Sequence, residues 1–321
     1  MGRLLAFLGG HGVYVLFGGV FIGLLLPGLA SLLRPLLAPA VFVLLLATLL
    51  RVDWRAMADF ARKPALVGLL TLWLMILAPL LTWLAIRLTP TPEALATAVV
   101  LMAAAPPILA ATSIALLLGL DSALAVVTGL ICTLLAPLSV PPLALALLGL
   151  ELEIGVAELM LRLGVIVVGA FLGAGLLRRL LGLAWLESRA AHLDGLIMLV
   201  LLIFAISIMD GVTDTLLTRP GTVALWLAAA FLANPLLQLA GSLAFFWLGL
   251  RRALTVGILS GNCNMGLLLA ALPPDAGFDI VLFFAIAQIP MYMLPAMLLP
   301  IYRRLLARRA ALAGDGGTPG G

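Results

Sequence analysis

The feature of this sequence that most restricts its fold is a succession of long apolar segments separated only by short loops. Of the 321 residues, 64% are hydrophobic and 10% are charged, whereas about a quarter of the residues in a soluble domain are charged. So few polar residues cannot cover the surface of a water-soluble globule. The excess apolar surface must face lipid, and the sequence predicts an all-α integral membrane protein.

The apolar segments can be divided into individual membrane spans. About 20 mostly apolar residues are needed for a helix to cross the hydrocarbon core. Dividing the chain at its helix-breaking residues predicts ten spans, near residues 8–30, 35–51, 64–88, 94–119, 121–149, 158–180, 192–217, 222–250, 253–273 and 278–304. Within the fifth span, a bend is expected at Pro137 or Pro141.

The basic residues predict the orientation of these spans. With ten spans, one side of the membrane holds most of the 18 Lys and Arg residues, namely Arg3, Arg51, Arg55, Arg62, Lys63, Arg178, Arg179, Arg189, Arg251, Arg252, Arg303, Arg304, Arg308 and Arg309. The other side holds only Arg34, Arg87, Arg162 and Arg219. Because cytoplasmic loops are enriched in Lys and Arg, both termini are predicted to be cytoplasmic in a bacterial-type inner membrane. This scattering between apolar runs argues against binding of nucleic acid.

The fourth span is interrupted near its middle. Pro106 and Pro107 remove two adjacent backbone donors and clash with the preceding turn, so the helix is expected to open there. Thr112 and Ser113 follow closely and add hydroxyl groups.

The ninth span is interrupted by glycine and amide residues. It contains, in order, Ser260, Gly261, Asn262, Cys263, Asn264, Met265 and Gly266. Glycine weakens a helix, and amide side chains within lipid need partners. We therefore predict a second break in this span.

The two interrupted spans occupy matching positions in two five-span halves. The predicted halves are residues 1–150 and 151–306, followed by a disordered cytoplasmic tail over 307–321. A unit with an odd number of spans is inverted when it is repeated. Paired interrupted helices in corresponding positions are typical of the binding site of a secondary transporter, which is the function class that the residues favour.

The interrupted segments also resemble a known family. The run with Pro106, Pro107, Thr112, Ser113, Asp121, Thr133, Pro137 and Pro141 resembles the fourth and fifth helices of the bile acid:sodium symporter family, and residues 260–266 resemble its ninth helix. The resemblance implies a panel of helices 1, 2, 6 and 7 beside a core of helices 3, 4, 5, 8, 9 and 10, with helices 4 and 9 crossing. It further implies sodium-coupled transport of organic anions, such as bile acids or pantoate, through the cleft between panel and core.

This chain departs from the family at the sodium-binding side chains. In a gapless match, these side chains fall on Ala111, Thr112, Ala125, Gly129, Leu259 and Cys263. Only Thr112 retains a side-chain oxygen. A shift in register brings in Ser113, Thr128 and Ser260 but no carboxylate. Coupling to sodium and coupling to protons both stay open, and no other cofactor is expected.

These considerations define the candidate residues. The predicted substrate- or ion-binding residues are Thr112, Ser113, Thr128, Ser260, Asn262, Cys263, Asn264 and Gln288, and the helix-break residues are Pro106, Pro107, Gly261 and Gly266. Asp210 and His11 are candidates for carrying a proton, although capping or interfacial roles are more common for such residues. Asp121 is expected to cap the fifth helix.

The predicted function is a secondary active transporter of a small or amphipathic organic anion that works by alternating access. Its expected partners are the substrate and membrane lipid, with no obligate protein partner evident. Proton-coupled or uncoupled export is an alternative, and Cys263 suggests an arsenite-like carrier because thiolate suits a soft ligand. A membrane enzyme would require converging catalytic groups, but the chain has only two histidines, His11 and His192. A membrane sensor or scaffold usually carries a soluble output domain, for which no loop is long enough.

Overall fold

A computed structural model of the chain describes residues 12–52, 64–149, 155–272 and 277–314. These residues are almost entirely helical, and the one β-bridge among them joins Pro107 and Cys263. The prediction of an all-α protein is confirmed. His11 and residues 315–321 lie outside the described residues, as do Arg3, Arg55, Arg62 and Lys63.

The helices follow one another through short connections. In the first part of the chain they are α1 (Gly12–Leu25), α2 (Pro27–Leu33), α3 (Leu37–Arg51), α4 (Pro64–Leu72), α5 (Ala78–Arg87), α6 (Glu93–Ala104), α7 (Ala111–Leu117) and α8 (Ser122–Leu148). In the second part they are α9 (Val156–Leu181), α10 (Leu183–Ser188), α11 (Ala190–Ser207), α12 (Val212–Thr218), α13 (Pro220–Ala244), α14 (Leu250–Gly261), α15 (Met265–Ala271) and α16 (Phe278–Gly314). A π-helical segment, Trp73–Leu77, joins α4 to α5.

Seven helical stretches among the described residues are long and apolar enough to cross a membrane. One of them, Pro27–Arg51, continues through the predicted boundary between the first and second spans. Pro35 lies there in a short 3₁₀ turn, at an early position where its missing N–H is tolerated. The predicted fourth and ninth spans are each divided into two short helices, so neither is one of these seven stretches. The last helix runs to Gly314, beyond the predicted boundary at residue 306.

The surface of α9 shows why this protein belongs in a membrane. The side of α9 that packs against other helices carries Leu163, Val167 and Ala170, all fully buried. Its outer side is also apolar, and Leu172 and Leu180 are 69% and 70% exposed. A helix in water would place polar residues on that side, so the exposed side is suited to contact lipid.

The helices pack in two groups. The first group contains α1, α2, α3, α9 and α11. The second contains α4 to α8, α13, α14 and α16, with α13 and α14 packed most closely. The two groups are connected where α9 packs along α8 and where the short helix α15 packs against α3 and α9.

Charged residues tie the first group together near the ends of its helices. Arg178 donates to the carbonyl oxygens of Leu50 at 3.1 Å and Val52 at 2.7 Å, which satisfies carbonyls left free at the end of α3. Arg51 forms an ion pair with Asp194 at the start of α11. These contacts hold α3, α9 and α11 together at one end of the group.

The apolar cavity and the paired helix breaks

The first break lies between α6 and α7. Ala105 precedes a proline and adopts an extended conformation (φ −65°, ψ 142°), as the steric demand of the next ring requires. Pro106 and Pro107 have no N–H, so the carbonyls of Met102 and Ala103 lose their helical donors. Helical structure resumes only at Ala111. The proline pair therefore lies in the interruption between α6 and α7.

The second break lies between α14 and α15 and is shorter. Asn262 leaves the helical conformation (φ −100°, ψ 78°), and α15 begins at Met265. The Asn264 side chain caps α15, because its Oδ1 accepts a hydrogen bond from the backbone N–H of Leu267 at 3.1 Å. An asparagine at this position satisfies one of the free N–H groups of a helix start.

The two breaks pair with each other through their main chains. The N–H of Ile108 donates to the carbonyl of Asn262 at 2.8 Å, and the N–H of Asn264 donates to the carbonyl of Pro106 at 2.7 Å. Each break therefore gives one donor and one acceptor to the other, in an antiparallel bridge centred on Pro107 and Cys263. Main-chain groups freed within a membrane must find such partners in the protein.

A cavity of about 320 Å³ lies beside the paired breaks. One wall consists of apolar side chains from α3 and α11, including Leu45, Leu201 and Phe204. The opposite wall comes from the two breaks and α16, and it carries the polar side chains Ser113, Asn264, Gln288 and Tyr292. None of the described residues that line the cavity is charged. An apolar pocket with a few convergent polar groups is typical of a small-molecule site.

The structure brings some of the candidate binding residues together at this cavity. Ser113, Cys263, Asn264 and Gln288 line it, and so does Gly266, which was predicted as a helix-break residue. Gly266 packs closely against the ring of Phe204, and a Cβ atom there would lie 3.0 Å from that ring. The five residues come from α7, the second break, α15 and α16, which are far apart in the sequence.

Four other candidates lie outside the lining of the cavity. Asn262 is fully buried, and its Nδ2 donates to the carbonyl of Ile258 at 2.8 Å. Ser260 donates to the carbonyl of Val256 and accepts from Trp73 Nε1 at 3.0 Å. Thr128 on α8 is also fully buried. Thr112 is half-buried on α7.

Three buried side-chain oxygens in this region accept no hydrogen bond within the described part of the chain. They are Oγ1 of Thr128, Oδ1 of Asn262 and Oε1 of Gln288. An unsatisfied buried acceptor is costly, by about 1–3 kcal/mol. These atoms are therefore available to accept a hydrogen bond or to contact a cation. Among the described residues there is no cluster of His, Cys, Asp or Glu that could hold a metal ion.

The charged candidates lie away from the cavity. Asp210 is 3.9 Å from the Arg34 guanidinium, in an ion pair that is about one third exposed. Asp121 caps α8 by accepting from the N–H of Leu124 at 3.0 Å, which confirms the predicted cap. Neither carboxylate reaches the paired breaks.

Sequence reasoning missed several residues around the site. Thr48 of α3 and the α11 side chains of the apolar wall were not candidates, because nothing in an apolar span distinguishes a residue that faces a cavity from one that faces lipid. Trp73, which bonds Ser260, was also missed. Its place in a π-helical segment is a feature common at functional sites, but it is visible only in the structure.

Comparison with known proteins identifies the family. The model of the Sodium Bile acid symporter family matches residues 38–219, which include the first break and the helices α3 and α11 that line the cavity. None of the curated proteins compared with the chain matches it. The family match covers more than half of the 321 residues. The chain therefore belongs to the Sodium Bile acid symporter family.

Proposed function

We propose that this protein is a secondary active transporter of a small or amphipathic organic anion. The two groups of helices would rock against each other and expose the cavity alternately to the two sides of the membrane. The observation that carries this proposal is the meeting of the two helix breaks at one wall of a cavity between the groups. Family membership supports transport as the activity.

We further propose that the chain has ten spans in two inverted halves, residues 1–150 and 151–306. The positions of the two breaks support this. The first break interrupts the fourth predicted span of the first half, and the second break interrupts the fourth predicted span of the second half. Interrupted helices at corresponding positions are expected when an axis in the membrane plane relates two repeats. The cytoplasmic location of both termini is part of the same proposal and is supported by the distribution of Lys and Arg.

The lining of the cavity favours one class of anion. Multiply charged anions such as phosphates are usually bound by Arg or Lys, and the described lining residues include neither. A single carboxylate or sulfonate on an apolar body fits better, because the body can pack on the α3 and α11 wall. The polar wall would then meet the anionic group through Ser113, Asn264 and Gln288.

The same residues bear on the coupling ion, for which sodium and protons are the two candidates. The three buried acceptors Thr128, Asn262 and Gln288 offer neutral oxygen atoms and no carboxylate. A monovalent cation such as sodium prefers oxygen ligands, so sodium coupling, which the family supports, would rely on these side chains and main-chain carbonyls. Proton coupling is the alternative that the missing carboxylate favours.

The experiment begins with a thermal-stability screen of purified protein against bile acids, pantoate and other organic monoanions, with sodium or potassium as the cation. A ligand raises the apparent stability by mass action, by about 2.7 kcal/mol at one hundred times its Kd. We expect stabilisation by at least one amphipathic monoanion. If no monoanion stabilises the protein in either salt, the proposed substrate class is wrong.

The anion selected by the screen is then used for uptake in reconstituted vesicles. Asn264→Ala and Asn262→Ala are expected to lower uptake by about tenfold or more, which is the effect of losing about 1.4 kcal/mol. Ser139→Ala is the control, because that hydroxyl bonds only within its own helix, to Leu135. Undiminished uptake in both asparagine variants would exclude the assigned site, and uptake without counterflow would indicate a channel instead of a carrier.

A further inference from the structure

A buried chain of hydrogen bonds connects the middle of α16 to the second break. The hydroxyl of Tyr302 donates to Oε1 of Gln238 at 2.8 Å. Nε2 of Gln238 donates to Oδ1 of Asn234 at 2.6 Å. Nδ2 of Asn234 donates to the carbonyl of Gly261, the last residue of α14, at 2.7 Å. Tyr302, Gln238 and Asn234 are 6%, 4% and 3% exposed.

This chain satisfies a main-chain group that the second break leaves free. In a continuous helix the carbonyl of Gly261 would accept from the N–H of Met265. That N–H instead donates to the carbonyl of Cys263 at 3.0 Å. Asn234 supplies the missing donor, so the position of the Gly261 carbonyl depends on a side chain of α13.

The close approach of α13 and α14 fixes the geometry of this contact. A Cβ atom at Gly261 would lie 2.5 Å from Cγ of Gln238 and 2.6 Å from the carbonyl oxygen of Asn234. A Cβ atom at Gly257, one turn earlier, would lie 2.5 Å from the carbonyl oxygen of Gln238. Small residues at such spacing let membrane helices pack with their backbones in contact. The amides therefore have little room to adopt other rotamers.

Each side chain in the chain also fixes the next one. The Tyr302 hydroxyl donates to Oε1 of Gln238, so the Nε2 end of the Gln238 amide faces Asn234. The amide group of Gln238 then sets the orientation of Asn234 in the same way. Buried networks with every member satisfied are rigid and specify one arrangement. The same helix, α16, carries Gln288 at the cavity.

We propose that Tyr302, Gln238 and Asn234 are positioning residues that hold the second break in the geometry required to pair with the first. This positioning role does not depend on the proposed transport function. Only its consequence, the control of access to the cavity, rests on that function. The structural content of the positioning role is that removal of the Tyr302 hydroxyl loosens the main-chain hydrogen bonds of Asn262 and Asn264, which lie beyond the three hydrogen bonds that link Tyr302 to Gly261.

The test measures amide hydrogen exchange in the full-length protein by mass spectrometry, which needs no substrate. The variants are Tyr302→Phe and Gln238→Leu. Ser139→Ala on α8 is the control, because its hydroxyl donates to the carbonyl of Leu135 in its own helix, away from α13 and α14. We expect exchange of residues 262–265 and of Ile108 to rise by about tenfold in both variants, which corresponds to about 1.4 kcal/mol of local stability. Exchange in α9 should stay unchanged in all three.

Unchanged exchange at the breaks in Tyr302→Phe would overturn the proposal. Tyr302→Phe keeps the ring and removes one oxygen, so it tests the chain even if Gln238→Leu does not fold. An increase confined to residues near 238 and 302 would also overturn it, since a merely local packing role gives that result.

A second measurement tests the consequence for access to the cavity. Ser113→Cys places an exposed thiol in the cavity lining. Because Cys263 also lines the cavity, although it is 2% exposed, the background is measured with and without Tyr302→Phe in protein that keeps Ser113. In vesicles, Tyr302→Phe should change the rate of maleimide labelling at residue 113 by about threefold or more, a shift of roughly 0.65 kcal/mol in the opening equilibrium. Increased exchange with unchanged labelling would refute the role in access. Failure of the transport proposal would instead appear as absent uptake, with both of these results intact.

Discussion

Two pairs of adjacent prolines lie within apolar stretches of this protein, and they have opposite outcomes. Pro106 and Pro107 end α6, and the chain stays non-helical up to Ala110. Pro141 and Pro142 lie inside α8, which continues from Ser122 to Leu148. Each pair removes two main-chain donors in the same way. The local chemistry alone therefore does not explain why only one pair breaks its helix.

The difference lies in what surrounds each pair. The break at Pro106 is met by a second break, which supplies a donor from Asn264 and an acceptor from Asn262. Among the described residues, no main-chain hydrogen bond from another segment reaches Pro141 or Pro142. Opening α8 would expose further unpaired groups to an apolar environment, which costs more than the missing bonds. A proline pair permits a break, and a partner elsewhere in the fold makes the break stable.

The largest expected effect comes from replacing Pro106 and Pro107 with alanine. Pro106→Ala with Pro107→Ala restores donors to the carbonyls of Met102 and Ala103, so α6 should lengthen and the pairing of the breaks should be lost. Two buried hydrogen bonds of about 1–1.5 kcal/mol each correspond to about a 100-fold fall in uptake of the screened anion. The same double change at Pro141 and Pro142 should leave uptake within about twofold and raise the melting temperature, because proline disfavours a helix interior. Equal effects of the two double variants on uptake would show that the two proline pairs do not differ in their importance for transport.

A smaller effect is expected at Gly261, where the second break depends on close helix packing. Gly261→Ala forces α13 away from α14 because the added Cβ would lie 2.5 Å from Gln238. Overpacking of this kind costs about 1–3 kcal/mol, which a denaturation or thermal-unfolding experiment in detergent measures. The control is Gly164→Ala on α9, where an added Cβ meets nothing within 4 Å. Equal stability of the two variants would show that the glycine is not needed for packing.

The smallest effect is expected at the hydrogen bond from Trp73 to Ser260, two residues before Asn262 in the second break. Trp73→Phe removes a donor, and a net loss of about 0.5–1.5 kcal/mol of stability is expected from the hydrogen bond. Trp226→Phe is matched to it, because the indole N–H of Trp226 is buried without a partner in the described part of the chain. A double-mutant cycle of Trp73→Phe with Ser260→Ala should give a coupling energy of similar size. A coupling energy near zero would mean that this bond does not support the break.

The sequence by itself determined the environment and the places where the main chain is interrupted. The small share of charged residues required lipid contact, since no rearrangement of an apolar chain creates a polar surface. Pro106, Pro107 and the segment from Gly261 to Asn264 marked two positions of weak helix, because backbone donors and glycine are local properties. The cap formed by Asp121 was predictable for the same reason.

Only the tertiary structure decided which weak positions become breaks and which polar groups meet. Pro141 and Pro142 stay helical although their sequence resembles the broken pair, and Pro35 joins two predicted spans into one helical stretch. Asn234 reaches the Gly261 carbonyl and Trp73 reaches Ser260 across 27 and 187 residues of sequence. In a membrane, a freed polar group is stable only where another part of the fold satisfies it. That partner depends on how distant helices pack, which local sequence does not encode.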